Sequence, residues 1–192
     1  MQYRVNEIFF TLQGEGAHSG IPAVFVRFSG CNLKCPWCDT EFADYTEMTV
    51  EQIVAEMLSL YDVPNERRKM CVLTGGEPSL QVDKPLIDAL HQAGFYICIE
   101  TNGTRPLPDG IDWVCCSPKE GSRLSLQQAD EVKVVYTERS PEHWREALSS
   151  THWYLQPLDA GTQNNVAETI RYIQAHPWWR LSLQTHKLTG IR

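Results

Sequence analysis

Residues 23–39 have the sequence AVFVRFSGCNLKCPWCD, in which an apolar segment runs directly into three closely spaced cysteines. The segment Ala23–Phe28 is rich in β-branched and aromatic side chains, which predicts a buried β-strand. Gly30 follows this strand, and the cysteines come after it in the spacing C-x3-C-x2-C. The sequence therefore places a cysteine-bearing loop at the carboxyl end of a strand.

Strand and helix patterns alternate along the rest of the chain. Thr49 and Gln52 have the spacing of a capping box, and Ser140 with Pro141 has the pattern of an N-cap followed by the first helical residue. Gly94 is a natural helix C-cap. The predicted strands are Met70–Thr74, Phe95–Thr101, Ile111–Ser117, Glu131–Tyr136, His152–Gln156 and Arg180–Thr185, and the predicted helices are Thr49–Tyr61, Pro85–Gln92, Ser140–Leu148 and Asn164–His176.

This alternation predicts an α/β fold with a mostly parallel sheet. A doubly wound sheet and a (β/α) barrel both fit the pattern, but a complete barrel needs about 250 residues and this chain has 192. We therefore predict a partial, open (β/α) barrel in one domain, residues 1–192. In either fold the active site lies at the carboxyl ends of the strands. Six candidate active-site segments stand at the ends of predicted strands: Gly30–Thr40, Thr74–Pro78, Glu100–Gly103, Ser117–Lys119, Gln156–Asp159 and Gln184–Lys187.

Composition narrows the class of protein. The net charge of -7 argues against a nucleic-acid-binding protein and favours a small polar substrate. No apolar run approaches the ~20 residues that span a bilayer, and the N-terminus lacks the features of a secretory signal. We therefore expect a cytoplasmic protein without a membrane partner. Seven cysteines, an odd number in a reducing compartment, favour metal binding or catalysis over disulfides.

The cysteine loop, Cys31, Cys35 and Cys38, predicts an iron–sulfur cluster with one open iron, because electron-transfer clusters normally use four cysteines. A structural zinc site is the alternative, with His18 or Cys71 as the fourth ligand. The cysteines outside the loop lie in apolar segments and are interpreted as core residues. Two of these, at positions 115 and 116, must point to opposite faces of one strand.

With Trp37 before the last cysteine, the loop resembles the signature of the radical S-adenosylmethionine superfamily. The resemblance implies a partial barrel, a [4Fe-4S] cluster and S-adenosyl-L-methionine bound through its amino and carboxylate groups to the open iron. Reductive cleavage of that cofactor would give a radical that abstracts a hydrogen atom from the substrate. Gly75–Pro78 resembles the segment that binds the methionine end of the cofactor, and Ser117–Lys119 offers a hydroxyl and a cation for it.

Several further segments narrow the resemblance to the 7-carboxy-7-deazaguanine synthase family. They are Asn6–Gly16, Gly20–Ala23 and Arg27 near the N-terminus, and Gln156–Asp159 and Gln184–Lys187 downstream. This resemblance implies conversion of 6-carboxy-5,6,7,8-tetrahydropterin to 7-carboxy-7-deazaguanine with loss of ammonia, in queuosine and 7-deazapurine biosynthesis. It also implies Mg2+, a homodimer and a flavodoxin-type electron donor. The alternatives are a glycyl-radical activating enzyme, which shares the triad but acts on a protein glycine, and a non-enzymatic metal-stabilised binding module.

The resemblance assigns roles by position and assigns no catalytic side chain, since the radical forms on the cofactor. Cys31, Cys35 and Cys38 would hold the cluster and Thr40 the Mg2+. The implied cofactor-binding residues are Trp37, Gly75, Gly76, Glu77, Ser117, Pro118, Lys119, Gln156, Pro157, Leu158 and Asp159, and the implied substrate-binding residues are Leu12, Gln13, Gly14, Glu15, Arg27, Thr74 and His186.

Overall fold

The computed structural model of the chain describes residues 2–38, 40–41, 43–61, 68–159 and 164–191. Over these residues it contains nine strands in one sheet and five α-helices. The strands are β1 Tyr3–Leu12, β2 Pro22–Phe28, β3 Thr46–Met48, β4 Lys69–Gly75, β5 Phe95–Thr101, β6 Trp113–Cys116, β7 Glu131–Tyr136, β8 His152–Pro157 and β9 Arg180–Leu181, and the helices are α1 Val50–Leu60, α2 Lys84–Gln92, α3 Glu142–Ala147, α4 Val166–Ala175 and α5 Thr185–Thr189.

The strand order is β3-β1-β2-β4-β5-β6-β7-β8-β9. From β2 onward every neighbouring pair is parallel, whereas β1 is antiparallel to both β2 and β3. Within the described residues β3 and β9 are the two edges and do not pair with each other, so the sheet is open. The predicted α/β class and the partial, open, mostly parallel barrel are confirmed.

The central strands are buried on both faces, which is why their sequences are almost continuously apolar. In β2, Val24 and Val26 pack with the buried residues of α1 and α2, whereas Ala23 and Phe25 face the other side and pack with Phe9. This period-two alternation assigns one face to the helical layer and the other to the interior of the open barrel. Side chains on the interior face are therefore the ones that can reach a site at the strand ends.

The capping box predicted for the first helix is present. The Thr49 hydroxyl accepts the Gln52 backbone N–H, and the Gln52 side chain accepts the Thr49 backbone N–H. Ile53 and Met57 are completely buried on the apolar face of this helix. The observed α1 begins one residue after Thr49 and ends one residue before Tyr61, where the prediction had placed its limits.

Several predicted elements differ from the observed ones in their bounds; β6, for example, begins at Trp113 instead of Ile111, and α4 begins at Val166 instead of Asn164. Helix α3 begins at Glu142, with Pro141 at the N-cap position and no side-chain cap, because the Ser140 hydroxyl contacts the Tyr172 hydroxyl instead. The last strand ends at Leu181, since Ser182 accepts a hydrogen bond from the Gly16 backbone N–H and the chain leaves the sheet.

Three features follow from the fold as a whole. Strand β1, which the sequence had not predicted, forms the longest strand and pairs with β2 over most of its length. Among the described residues, no helix is long and apolar enough to cross a membrane. In their described residues, the six segments singled out in the sequence lie at or after the carboxyl ends of strands in the parallel part of the sheet, as predicted.

Candidate active site

A cavity of about 850 Å³ opens at the carboxyl ends of the parallel strands. The loop after β1, the cysteine loop after β2 and the ends of β4, β5, β6 and β8 contribute to its wall, and Gln184, His186 and Lys187 near α5 contribute from the C-terminus. Of the predicted site residues, those in the wall are Leu12, Gln13, Gly14, Glu15, Arg27, Cys31, Cys35, Trp37, Cys38, Thr40, Thr74, Gly75, Gly76, Glu77, Ser117, Lys119, Gln156 and His186.

The three loop cysteines all line this cavity. The Leu33 backbone N–H donates to the Cys31 sulfur at 3.4 Å, and the Cys38 N–H donates to the Cys35 carbonyl at 3.2 Å. Over the described residues, no group of three Cys, His, Asp or Glu side chains is arranged to share a single metal ion. Three thiols on one wall fit an iron–sulfur cluster, because each cysteine of a cubane binds a different iron.

The cysteine loop is tied to the ends of β4 and β5. The Glu77 N–H donates to the Gly30 carbonyl at 2.9 Å, and the Asn102 side chain donates to the Asn32 side chain at 3.0 Å. At Gly76 an added Cβ would lie only 2.1 Å from the Gly30 oxygen. The glycine is therefore required for the close approach of the two backbones, and that approach places the first cysteine.

Glu77 performs a structural task within this segment. Its carboxylate is 1% exposed and accepts hydrogen bonds from the Ser79 N–H at 3.1 Å, the Thr101 hydroxyl at 2.6 Å and the Asn102 N–H at 2.7 Å. Because three protein donors already surround it, the carboxylate locks the loop after β4 to the end of β5. The predicted contact of Glu77 with the cofactor stays a prediction.

Lys119 stands between the end of β6 and the cysteine loop. Its ammonium donates to the carbonyl and the hydroxyl of Ser117, both at 2.7 Å, and lies 5.6 Å from the centre of the Trp37 ring. Burial lowers the pKa of Lys119, and negative charge on the neighbouring Cys35 side chain opposes that shift. A partly desolvated cation beside the cysteine loop suits a ligand that carries a carboxylate.

Gln156 presents an unsatisfied acceptor at the end of β8. The side chain is 7% exposed, and its Oε1 atom is buried without a hydrogen-bond partner in the described part of the chain. A buried oxygen of this kind costs free energy unless a bound donor satisfies it. The residue therefore fits the predicted cofactor contact, since S-adenosyl-L-methionine carries amino and hydroxyl donors.

Four other residues that were predicted to bind the cofactor are not part of the described cavity wall: Pro118, Pro157, Leu158 and Asp159. The Leu158 N–H donates to the Asn165 side chain at 2.8 Å, and Asp159 pairs with Lys187 at 3.0 Å. Pro157 and Pro118 are buried within the fold. These four positions border the site through their neighbours Gln156, Lys187, Ser117 and Lys119, which do line it.

The opposite wall carries the predicted substrate residues. The Arg27 Nε atom pairs with Glu7 at 2.7 Å, and its guanidinium lies 5.8 Å from the Phe9 ring centre. The Gln13 amide donates to Glu100 at 3.0 Å, and the Thr74 hydroxyl donates to the same carboxylate at 3.4 Å. This wall therefore combines a guanidinium with a partly buried carboxylate and a buried amide.

The C-terminal helix packs directly on the loop after β1. The Thr185 N–H and hydroxyl both donate to the Gly14 carbonyl, at 3.1 Å and 2.8 Å. A Cβ at Gly14 would lie 2.7 Å from the His186 Nδ1 atom. His186 thus reaches the cavity against Gly14, where a side chain larger than hydrogen would displace it.

Comparison with known proteins assigns this arrangement. The sequence profile of the radical SAM superfamily matches residues 25–178. The 7-carboxy-7-deazaguanine synthase of Bacteroides thetaiotaomicron is 55% identical over 192 residues, and that of Bradyrhizobium diazoefficiens is 48% identical over 213, each alignment covering both chains completely. The crystal structure of QueE from Escherichia coli superposes with a TM-score of 0.77 at 32% identity, covering 95% of this chain and 94% of that one.

The chain belongs to the 7-carboxy-7-deazaguanine synthase family of radical SAM enzymes. The family resemblance inferred from the sequence is confirmed, and with it the [4Fe-4S] cluster and S-adenosyl-L-methionine as the cofactors of the superfamily. Asp39, which follows the third cysteine of the loop, lies outside the described residues.

The zinc alternative for this synthase has no fourth ligand at the positions proposed for it. His18 stacks edge-on against Trp113 with ring centres 4.5 Å apart, and its Nδ1 atom lies 3.9 Å from the Cys98 sulfur. Cys71 is completely buried in the cluster of apolar residues beneath α1 and α2. Both side chains belong to other parts of the fold than the cysteine loop.

Two charged residues of the synthase cavity, Glu100 and Lys133, were not among the predicted site residues, although Glu100 begins one of the six segments singled out at strand ends. Burial alone would raise the pKa of Glu100, but Lys133, the Gln13 amide and Arg27 outweigh it and lower that pKa. A signal for Lys133 was present: Glu131 and Lys133 alternate in an otherwise apolar strand, so their side chains share one face. Two buried charges on the same face of a central strand indicate a functional cavity.

Proposed function

We propose that this synthase converts 6-carboxy-5,6,7,8-tetrahydropterin to 7-carboxy-7-deazaguanine with loss of ammonia. One observation carries the proposal: a single cavity joins the cysteine loop to a guanidinium and two partly buried carboxylates. The substrate has a carboxylate and, on its pyrimidine ring, N–H donors. These features complement Arg27 and the carboxylates Glu15 and Glu100 respectively.

The protein's own residues would bind and orient the reactants. Cys31, Cys35 and Cys38 would hold the cluster, and Gln156 and Lys119 would bind the polar groups of S-adenosyl-L-methionine. The bound cofactors supply the one-electron chemistry that removes a hydrogen atom from the pterin. The remaining predicted contacts, Leu12 to Gly14, Thr74, Gly75, Gly76, Ser117 and His186, line the same cavity and are proposed to complete the two binding regions.

Thr40 is the proposed Mg2+ ligand. It lines the cavity together with Glu41 and Asp44, and hydroxyl, carboxylate and water oxygens are the ligands that Mg2+ prefers. The family resemblance further supports a homodimer, a flavodoxin-type electron donor and a cytoplasmic location. These are proposals that extend beyond the identified family.

The test is anaerobic reconstitution with iron and sulfide, followed by reduction and addition of S-adenosyl-L-methionine, Mg2+ and the carboxypterin. We expect a product lighter than the substrate by one ammonia, with little net methionine. Arg27→Met should raise KM for the carboxypterin by about 30-fold, because it leaves the substrate carboxylate without its cation. Arg171→Met removes an exposed guanidinium on α4 and should leave KM unchanged.

Four outcomes would count against the proposal. Formation of deoxyadenosine only in the presence of a partner protein would favour a glycyl-radical activating enzyme. Deoxyadenosine formation with an untouched pterin would refute the substrate, and equal KM values for Arg27→Met and the wild type would refute the carboxylate contact. If Thr40→Ala retains the full response of the rate to added Mg2+, the proposed metal ligand is wrong.

A further inference from the structure

Lys133 is a buried cation in the interior of the barrel. It lies on β7, and its side chain is 6% exposed. The ammonium donates to the Glu15 carboxylate from the loop after β1 and lies 3.6 Å from the Glu100 carboxylate at the end of β5. One lysine therefore links two carboxylates that belong to different elements, and all three residues line the cavity.

A second set of hydrogen bonds fixes the Glu100 carboxylate and the backbone that carries Glu15. The Glu15 N–H donates to the Gln13 Oε1 atom at 3.1 Å, and the Gln13 Nε2 atom donates to the Glu100 Oε1 atom at 3.0 Å. The Thr74 hydroxyl approaches the other oxygen of Glu100 at 3.4 Å. Glu15 and Glu100 are thus oriented from several sides while they remain part of the cavity wall.

The charges of this group depend on one another. Burial alone would lower the pKa of Lys133, but Glu100 and Glu15 raise it well above its ordinary value. Lys133 is in turn the strongest influence that keeps the pKa of Glu100 low against burial. The other titratable or charged groups that act on this cluster are Arg27 from β2, Cys98 from β5, Cys115 from β6, Glu131 from β7 and Lys119 after β6.

We propose that Lys133 is a positioning residue that holds Glu15 and Glu100 as a pair of carboxylates to accept the N–H groups of the aminopyrimidinone edge of the pterin. The inference rests on the proposed function, since it names the part of that cavity which recognises the ring. An ionised carboxylate only accepts hydrogen bonds, whereas a protonated one also presents an O–H donor. Two neighbouring carboxylates without a cation tend to share a proton, which would spoil this recognition.

The inference predicts how three variants bind 6-carboxypterin, the oxidised form of the substrate, which carries the same edge and does not react. Lys133→Met should weaken binding by about 30-fold near neutral pH, because the carboxylates lose their buried partner. The loss should grow as the pH falls, since burial then raises the pKa of Glu100 unopposed by Lys133. Lys133→Arg keeps the cation and should restore most of the affinity.

Glu100→Gln is the third variant, and it leaves Lys133 paired with Glu15. It should weaken binding to a similar extent but without the added pH dependence, because glutamine does not titrate. The double variant should bind more weakly than Glu100→Gln alone, because Glu15 then loses Lys133 too, but by less than the product of the two single losses, since both changes act on one subsite. Lys84→Met removes an exposed lysine from a pair on α2 and is the matched control, with wild-type affinity expected.

The measurement is equilibrium dialysis of the reconstituted proteins against 6-carboxypterin from acidic to neutral pH, with iron content recorded for each variant. Wild-type affinity in Lys133→Met, or an equal and pH-independent loss in Lys133→Met and Lys133→Arg, would overturn the inference. If Lys133→Met fails to retain iron, Glu100→Gln decides: unchanged affinity there refutes the subsite. Absence of binding to the wild type would refute it as well.

Dialysis and turnover separate this inference from the reaction itself. A wild type that binds 6-carboxypterin in a Lys133-dependent manner but yields no deazaguanine would refute the proposed reaction and support the subsite. If the wild type turns the substrate over normally and Lys133→Met binds 6-carboxypterin with unchanged affinity, the proposed reaction is supported and the subsite is refuted.

Discussion

Gly76→Ala is the change for which the structure gives the most direct expectation. The new Cβ atom would lie 2.1 Å from the Gly30 oxygen and 3.0 Å from the Cys31 nitrogen, whereas ordinary contacts begin at 3.4 Å. All three atoms belong to backbone or to a methyl group attached to it, so no flexible side chain can move aside. The loop that carries the first cysteine must therefore shift by roughly 1 Å away from the end of β4.

The free energy of unfolding should fall by a sum of two contributions. The shift stretches the hydrogen bonds from the Gly76 N–H to the Phe28 oxygen, 3.0 Å, and from the Glu77 N–H to the Gly30 oxygen, 2.9 Å; each contributes about 1 kcal/mol. Overpacking adds about 2 kcal/mol. The total of about 4 kcal/mol corresponds to a melting temperature about 12 °C lower for a chain of this size.

The assay combines thermal unfolding with iron and sulfide analysis after anaerobic reconstitution. We expect Gly76→Ala to melt lower and to incorporate less iron, because the displaced loop moves Cys31 away from the other two thiols. Gly94→Ala is the control: its φ is +84° with no atom within 4 Å, so it should cost about 1 kcal/mol and leave the iron content unchanged. Wild-type melting and iron content in Gly76→Ala would refute the reasoning.

Two further changes test the cysteine loop and the buried acid of β7. Cys38→Ala removes a thiol from the cavity wall and should abolish most iron incorporation. Cys98→Ala removes a buried thiol outside the loop and should leave iron incorporation unchanged. Equal iron content in the two variants would contradict the assignment of Cys38 to the cluster. Burial raises the pKa of Glu131, so the folded protein keeps the carboxyl proton at a pH where the unfolded chain, with a glutamate pKa of about 4.3, has lost it. The wild type should therefore lose stability as the pH rises from the unfolded-state pKa to the folded-state pKa of Glu131. Glu131→Gln cannot titrate and should lose less over that window in urea unfolding, and identical slopes for both proteins would disprove the linkage.

Much of the parallel sheet could be predicted because its strands are buried on both faces. Phe95–Thr101 and Glu131–Tyr136 are observed with the predicted bounds, and β4 differs by one residue at each end. A continuous apolar run that ends in glycine or a polar cluster leaves little freedom in placing these strands. The placement of the conspicuous motifs at strand ends then followed from the parallel topology alone.

The parts that escaped prediction depend on contacts between distant segments. Ser140 was expected to cap α3 from local spacing, yet its hydroxyl contacts Tyr172, 32 residues away. Glu100 and Lys133 acquire their importance only when β5 and β7 turn the same faces inward, which requires the register and curvature of the sheet. The alternation of Glu131 and Lys133 indicated a shared face but not the carboxylates that Lys133 would meet.

The loop after β1 explains how an open barrel can hold so precise a cavity. No β-ladder closes the barrel among the residues that the structure describes, and this loop crosses to the far strands instead. The Gly16 N–H donates to the Ser182 hydroxyl and the Ala17 N–H to Glu131, both at 3.0 Å. Its Glu15 carboxylate pairs with Lys133, so the proposed substrate contact also joins β1 to β7. The residues that bind the pterin in our proposal therefore fasten the two sides of the barrel as well. It follows that substitutions in this loop should change substrate affinity and stability together, whereas substitutions at Arg27 or Gln156 should change binding with little effect on stability.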